Sequence, residues 1–143
     1  MNTRELWESL KRQEGECACP RLQPLFELGR RTQERFDHCR ACVDMMVEAR
    51  DDRSALCSHA KEIFLAAMRM KELYFVMLVK LIEEEHVTIV LHKQGSNGEI
   101  RSRTATWDEF ENRNGKLFTL NCATCGHILM TSIMASTACG QCN

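Results

Sequence analysis

Nine cysteines stand in a chain of 143 residues, and their spacing is the most specific chemistry in the sequence. Cys122-Ala123-Thr124-Cys125-Gly126-His127 and Cys139-Gly140-Gln141-Cys142 have the form C-x2-C-x13-C-x2-C, the spacing of a zinc site. Zinc takes four ligands in a tetrahedron, at about 2.3 Å to each sulfur. Two cysteines three apart in a tight turn aim both sulfurs at one point. Gly126 and Gly140 follow Cys125 and Cys139 and permit a turn whose N–H groups face the thiolates. Cys122, Cys125, Cys139 and Cys142 are therefore the primary expected metal ligands, and the expected ion is a structural Zn2+. Iron–sulfur clusters use the same ligand type, and buried thiols are the non-metal alternative.

Cys17-Ala18-Cys19 and His38-Cys39-Arg40-Ala41-Cys42 form a second candidate set. If a helix starts near Asp37, Cys39 and Cys42 share an i,i+3 face, and a loop carrying Cys17 and Cys19 can fold over them. That would be a second zinc, on Cys17, Cys19, Cys39 and Cys42. A variant of this site draws on Cys57 or His59. Those two lie about 200° apart on a helix and cannot readily share one metal, so Cys57 is the expected spare thiol. Packing is the bland alternative for Cys39, which lies on an apolar stripe with Phe36 and Val43.

Compartment follows from the same residues. Met1 to Glu8 is charged, without the apolar segment of a secretory signal. An odd cysteine count does not close into disulfides, and CxxC pairs without a signal favour metal. The longest apolar run, Leu73 to Val79, is far short of the roughly 20 residues a membrane span needs. An intracellular location, nucleus or cytoplasm, is expected.

From Leu117 onward the chain resembles the zinc-ribbon superfamily at motif level. The resemblance implies a tetracysteinyl structural zinc on Cys122, Cys125, Cys139 and Cys142. A ribbon normally continues into a further strand after its second knuckle, whereas this sequence ends at Asn143. The hairpin over residues 86–106 is the candidate to supply that strand.

The elements that must position these residues divide near His86. At 44% hydrophobic and 27% charged the composition is globular. An α+β fold is expected: a helical bundle with one long central helix over residues 1–85, then a β-rich, zinc-ribbon-like module over 86–143. The first helix runs from about Thr3 to Glu14, capped by Asn2 or Thr3 and ended by Gly15. Pro24 suits the first turn of a second helix, which Gly29 is expected to break near Arg30. The third runs from about residue 52 or 54 to 85. Ile63, Ala67, Met70, Tyr74, Met77 and Leu81 form one seam on it, Phe64, Met68, Phe75, Leu78 and Ile82 another. A helix apolar around most of its circumference is expected to be buried on several sides, or to offer part of its surface to a partner.

After Glu85 the period changes to two. Residues 86–92 and 99–106 read as a hairpin around Gly95-Ser96-Asn97-Gly98. Thr106-Trp107-Asp108-Glu109 is a capping box for a short helix. A turn at 112–115 and a strand over 116–121 follow.

No P-loop, GxSxG, HExxH or dinucleotide fingerprint is present, and a set closed by four sulfurs lacks the open position of a catalytic zinc. A non-catalytic zinc-binding interaction or regulatory protein is expected. It would bind a protein partner or a second copy through the helix over residues 60–82. The alternative is a zinc-ribbon nucleic-acid-binding or transcription-associated factor. Charge disfavours it: over 86–143, Lys93, Arg101, Arg103, Arg113 and Lys116 are nearly balanced by Glu99, Asp108, Glu109 and Glu111. One tetrathiolate zinc adds −2 to a formal net charge of −1, giving −3.

Overall fold

The computed structural model describes residues 2–48 and 53–132, with side chains left aside at 46–48 and 53–57. Helix α1 spans Thr3–Gln13, α2 Gln23–Glu48 and α3 Arg53–Glu83. Strands β1 (Val87–Gln94) and β2 (Ile100–Thr104), the short helix α4 (Trp107–Glu111), and strands β3 (Leu117–Cys122) and β4 (Ile128–Thr131) follow. The strands form one antiparallel sheet in the order β2-β1-β3-β4. The α+β expectation holds at this level.

Two compact units divide the chain. One joins the N-terminal segment through Leu22 to the described residues from Leu81 onward, and the other covers the described residues of Gln23–Lys80. The expected boundary at 85/86 put the first helix with the other helices; it packs instead on the sheet. Leu6 and Leu10 of α1 form a buried cluster with Leu117 and Ile128, joined by Trp7. An amphipathic helix must cover its apolar stripe with something, and the sheet supplies the matching apolar face.

Local signals explain the ends of the elements. Asn2 caps α1 in a reciprocal capping box with Glu5, and Thr106 does the same for α4 with Glu109. Helix α3 ends when the Glu85 N–H donates to the Ile82 carbonyl at 3.1 Å and the His86 N–H to the Leu81 carbonyl at 2.8 Å. This is a Schellman cap, which requires a left-handed residue, and Glu85 has φ 63°. Glycine usually fills that position. Glu85→Gly is expected to stabilise the protein by about 0.5–1 kcal/mol, seen as a higher urea midpoint with an unchanged slope.

In the sheet, Val87, Ile89 and Leu91 of β1 alternate with half-buried residues. They share a face with Phe118 and Leu120 of β3, the residues opposite Leu91 and Ile89. Strand β3 is buried on both faces. Leu117 meets α1. Phe118 meets Phe110 of α4 edge-on, with ring centroids 5.6 Å apart.

In the other unit, α2 and α3 pair as an antiparallel hairpin. Phe36 lies against Phe64, His38 against His59, and the Cys39 thiol donates to the Ala60 carbonyl at 3.5 Å. The predicted break at Gly29 does not occur; α2 is continuous. A Cβ at Gly29 would meet the Tyr74 ring at 3.1 Å, so this glycine gives α3 close approach at the cost of helix propensity. Ile63 and Ala67 of the first seam are buried, and so is Leu78 of the second, whereas Phe64 and Phe75 of the second are exposed. The expectation that α3 is covered on several sides is corrected. Leu73, Phe75 and Val76 are 59%, 53% and 63% exposed, because a two-helix hairpin covers only one side of each helix. Among the described residues, no helix is long and apolar enough to cross a membrane.

Candidate metal centre

The β3–β4 connection is a tight turn built for two sulfurs. The Gly126 N–H donates to the Cys122 carbonyl at 2.8 Å, and the Cys122 N–H to the His127 carbonyl at 2.9 Å. Gly126 sits at φ 78°, where a side chain would be strained. The turn therefore works as the sequence suggests. Backbone N–H groups of Cys125 and Thr124 point at the Cys122 sulfur.

The sulfurs that face this turn come from the other end of the chain. Cys17, Cys19, Cys122 and Cys125 place their four Sγ atoms within 4.8 Å of one another, and each is a thiol rather than half of a disulfide. A tetrahedron with zinc–sulfur bonds of about 2.3 Å has sulfur–sulfur edges of roughly 3.8 Å, so a small inward adjustment closes it. The donor set suits zinc: four soft ligands, Cys122 buried, Cys17 and Cys19 half-buried and Cys125 exposed.

Specific bonds deliver the Cys17–Cys19 loop. After α1, the Gly15 N–H donates to the Ile128 carbonyl at 3.0 Å, and a Glu14 carboxylate oxygen accepts from the Thr131 N–H at 2.8 Å. The Trp7 indole N–H donates to the Ser132 carbonyl at 2.9 Å. Residues 14–15 thus lie along β4, and the chain reaches the knuckle two residues later. A side chain at Gly15 would meet His127 Nε2 at 3.4 Å.

Sulfurs in the cluster perturb one another's protonation. Burial works to raise the Cys122 pKa. The N–H groups of Cys125 and Thr124, with the thiols of Cys19 and Cys125, outweigh it, and Cys122 falls to about 7. Hydrogen bonds to Cys122 and Cys125 push the Cys19 thiol up to about 12, and burial raises Cys17. The Cys122 thiolate is thus favoured while Cys17 and Cys19 hold their protons more tightly. The cluster could hold a divalent ion, which would bind the four sulfurs as thiolates.

The grouping differs from the sequence reading. Cys17 and Cys19 join Cys122 and Cys125, not Cys39 and Cys42. Cys42 instead groups with His38 and His59, while Cys39 packs beside Cys42, Ala60 and Ile63. Cys139 and Cys142 lie outside the described residues, as does the side chain of Cys57. A loop–knuckle pairing across more than a hundred residues leaves no spacing signature. Its only sequence clue is that C-x-C, like C-x2-C, sets two sulfurs close together.

A polar chain links the sheet to the knuckle. The Asn121 amide donates to the Gly126 carbonyl at 3.2 Å, so its oxygen accepts from the Thr119 hydroxyl at 2.6 Å. That hydroxyl must then accept from His92 Nε2, at 2.8 Å, and His92 Nδ1 accepts from Ser102 at 2.8 Å. The network fits neutral imidazole, and burial pushes the His92 pKa down. Its stabilising contribution is therefore present above the unfolded value of about 6.5 and lost as pH falls through the lowered folded value. Between pH 7.5 and 5, wild-type urea midpoints should drop more than those of His92→Gln. Parallel profiles would refute this.

Arg101 is bonded to Glu99 at 2.8 Å and Arg103 to Glu109 at 2.6 Å. Arg103 and the Thr106 N–H hold the Glu109 carboxyl down at about 2. Both arginines of β2 are thus engaged in ion pairs with carboxylates.

No protein-family model, no curated protein and no solved structure matches the chain.

Proposed function

We propose that the protein is a non-catalytic zinc-binding interaction protein, in which Cys17, Cys19, Cys122 and Cys125 hold a structural Zn2+. The observation that carries this is the convergence of four sulfurs from two remote segments. In this reading the C-x-C loop takes the place of a zinc ribbon's second knuckle. The ion staples α1 and its exit loop to the β3–β4 turn, as structural zinc does in small domains. Four thiolates close the coordination sphere, which favours a structural over a catalytic ion.

The exposed Leu65, Leu73, Phe75 and Val76 of α3 support association with protein as the biological role. Apolar surface of this kind marks interaction sites. A second copy is the first occupant to test.

Metal analysis of the purified full chain tests the zinc, and light scattering during size exclusion tests the association. At least one zinc per chain, and a mass that rises with concentration and falls for Leu73→Glu, are expected. Absence of bound metal would overturn the first part, and a concentration-independent monomer the self-association.

A further inference from the structure

His38 and Cys42 are one helical turn apart on α2, and i,i+4 side chains share a face. His59 faces them from α3. The two ring nitrogens and the Cys42 sulfur all lie within 4.8 Å of one another. The rings sit edge to face with centroids 5.9 Å apart. Imidazole–imidazole packing alone accounts for that approach. It does not account for a thiol brought equally close to a nitrogen of each ring. Cys42 is buried, in a cluster with Ala60 and Ile63, while both histidines are exposed. The site therefore has a dry floor and an open mouth. Cys39, the neighbouring sulfur, is directed at the Ala60 carbonyl and is not one of the three grouped ligands.

We propose that His38, Cys42 and His59 form a second metal site, clamping α2 to α3 and selecting a borderline divalent transition ion such as zinc or cobalt. Two imidazoles and one thiolate suit that class. With three protein ligands and an open fourth position, it binds more weakly than a four-thiolate site and exchanges its ion with solvent. Ion binding crosslinks the two helices and so stabilises the hairpin.

The test is titration of the reduced, metal-stripped full chain with Co2+, which reports ligand type through its thiolate charge-transfer and visible bands. Wild type is expected to take up one more equivalent than the His38→Gln/His59→Gln variant. Each single substitution should weaken that equivalent by about tenfold or more. Both residues are exposed, so folding is expected to persist and is checked by circular dichroism. The intense four-thiolate bands should remain in the histidine variant and disappear in Cys17→Ser/Cys19→Ser, which separates failure of this site from failure of the cysteine site. Equal stoichiometry in wild type and the double histidine variant overturns the proposal.

Discussion

If the proposed structural zinc is bound, Cys19→Ser is expected to release it and undock the N-terminal helix from the sheet, while Cys139→Ser and Cys142→Ser keep it. In small zinc-folded peptides a structural ion contributes about 10–16 kcal/mol of apparent binding free energy. Whole domains are stable by only about 5–15 kcal/mol, so losing the ion outweighs any single packing defect. The affected region is specific. Cys17 and Cys19 follow directly on the segment bonded to Ile128 and Thr131, so residues 1–22 should become protease-sensitive together with the β3–β4 turn. Cys122→Ser should have the same effect from the other side. Zinc content and limited proteolysis of each variant decide the matter. Zinc retained in Cys19→Ser and lost in Cys139→Ser would sink the assignment and restore the C-x2-C-x13-C-x2-C site.

Phe118→Ala is expected to destabilise the protein by about 3–5 kcal/mol, the range for a fully buried aromatic cut to alanine. Phe118 is 0% exposed, on the strand buried on both faces. Its ring holds α4 through Phe110, and the Arg113 guanidinium lies 4.8 Å from the Phe110 ring centroid on that helix. The loss therefore includes α4 packing as well as the cavity. With urea slopes of about 1–3 kcal/mol/M, the midpoint should fall by roughly 1–5 M. A cost below about 1 kcal/mol would mean that the sheet collapses around the gap and that α4 contributes little.

Much of the architecture is legible residue by residue. Asn2 with Glu5 and Thr106 with Glu109 announce their helices, because capping is local chemistry. The change to period two after Glu85 announces the sheet. Gly29 misleads, since propensity counts its cost within the helix and is blind to the Tyr74 ring packed against it. The apolar belt of α3 misleads in the opposite way. Hydrophobic pattern leads one to expect cover, yet Leu73 and Val76 stay exposed, because the pattern does not say how many neighbours a helix will have.

For the site, the sequence by itself determined which residues can ligate and the shape of the knuckle. Cys122, Cys125 and Gly126 lie within one turn, where backbone geometry dictates sulfur direction. Tertiary structure decided which thiols face that turn. A knuckle supplies half of a zinc site and accepts any second pair brought to it. Here α1, docked through Leu6 and Leu10 and tied along β4, brings Cys17 and Cys19. The same distinction separates Cys42 from that set. Its partners His38 and His59 are chosen by the register of two antiparallel helices, which side-chain packing sets and linear spacing does not encode.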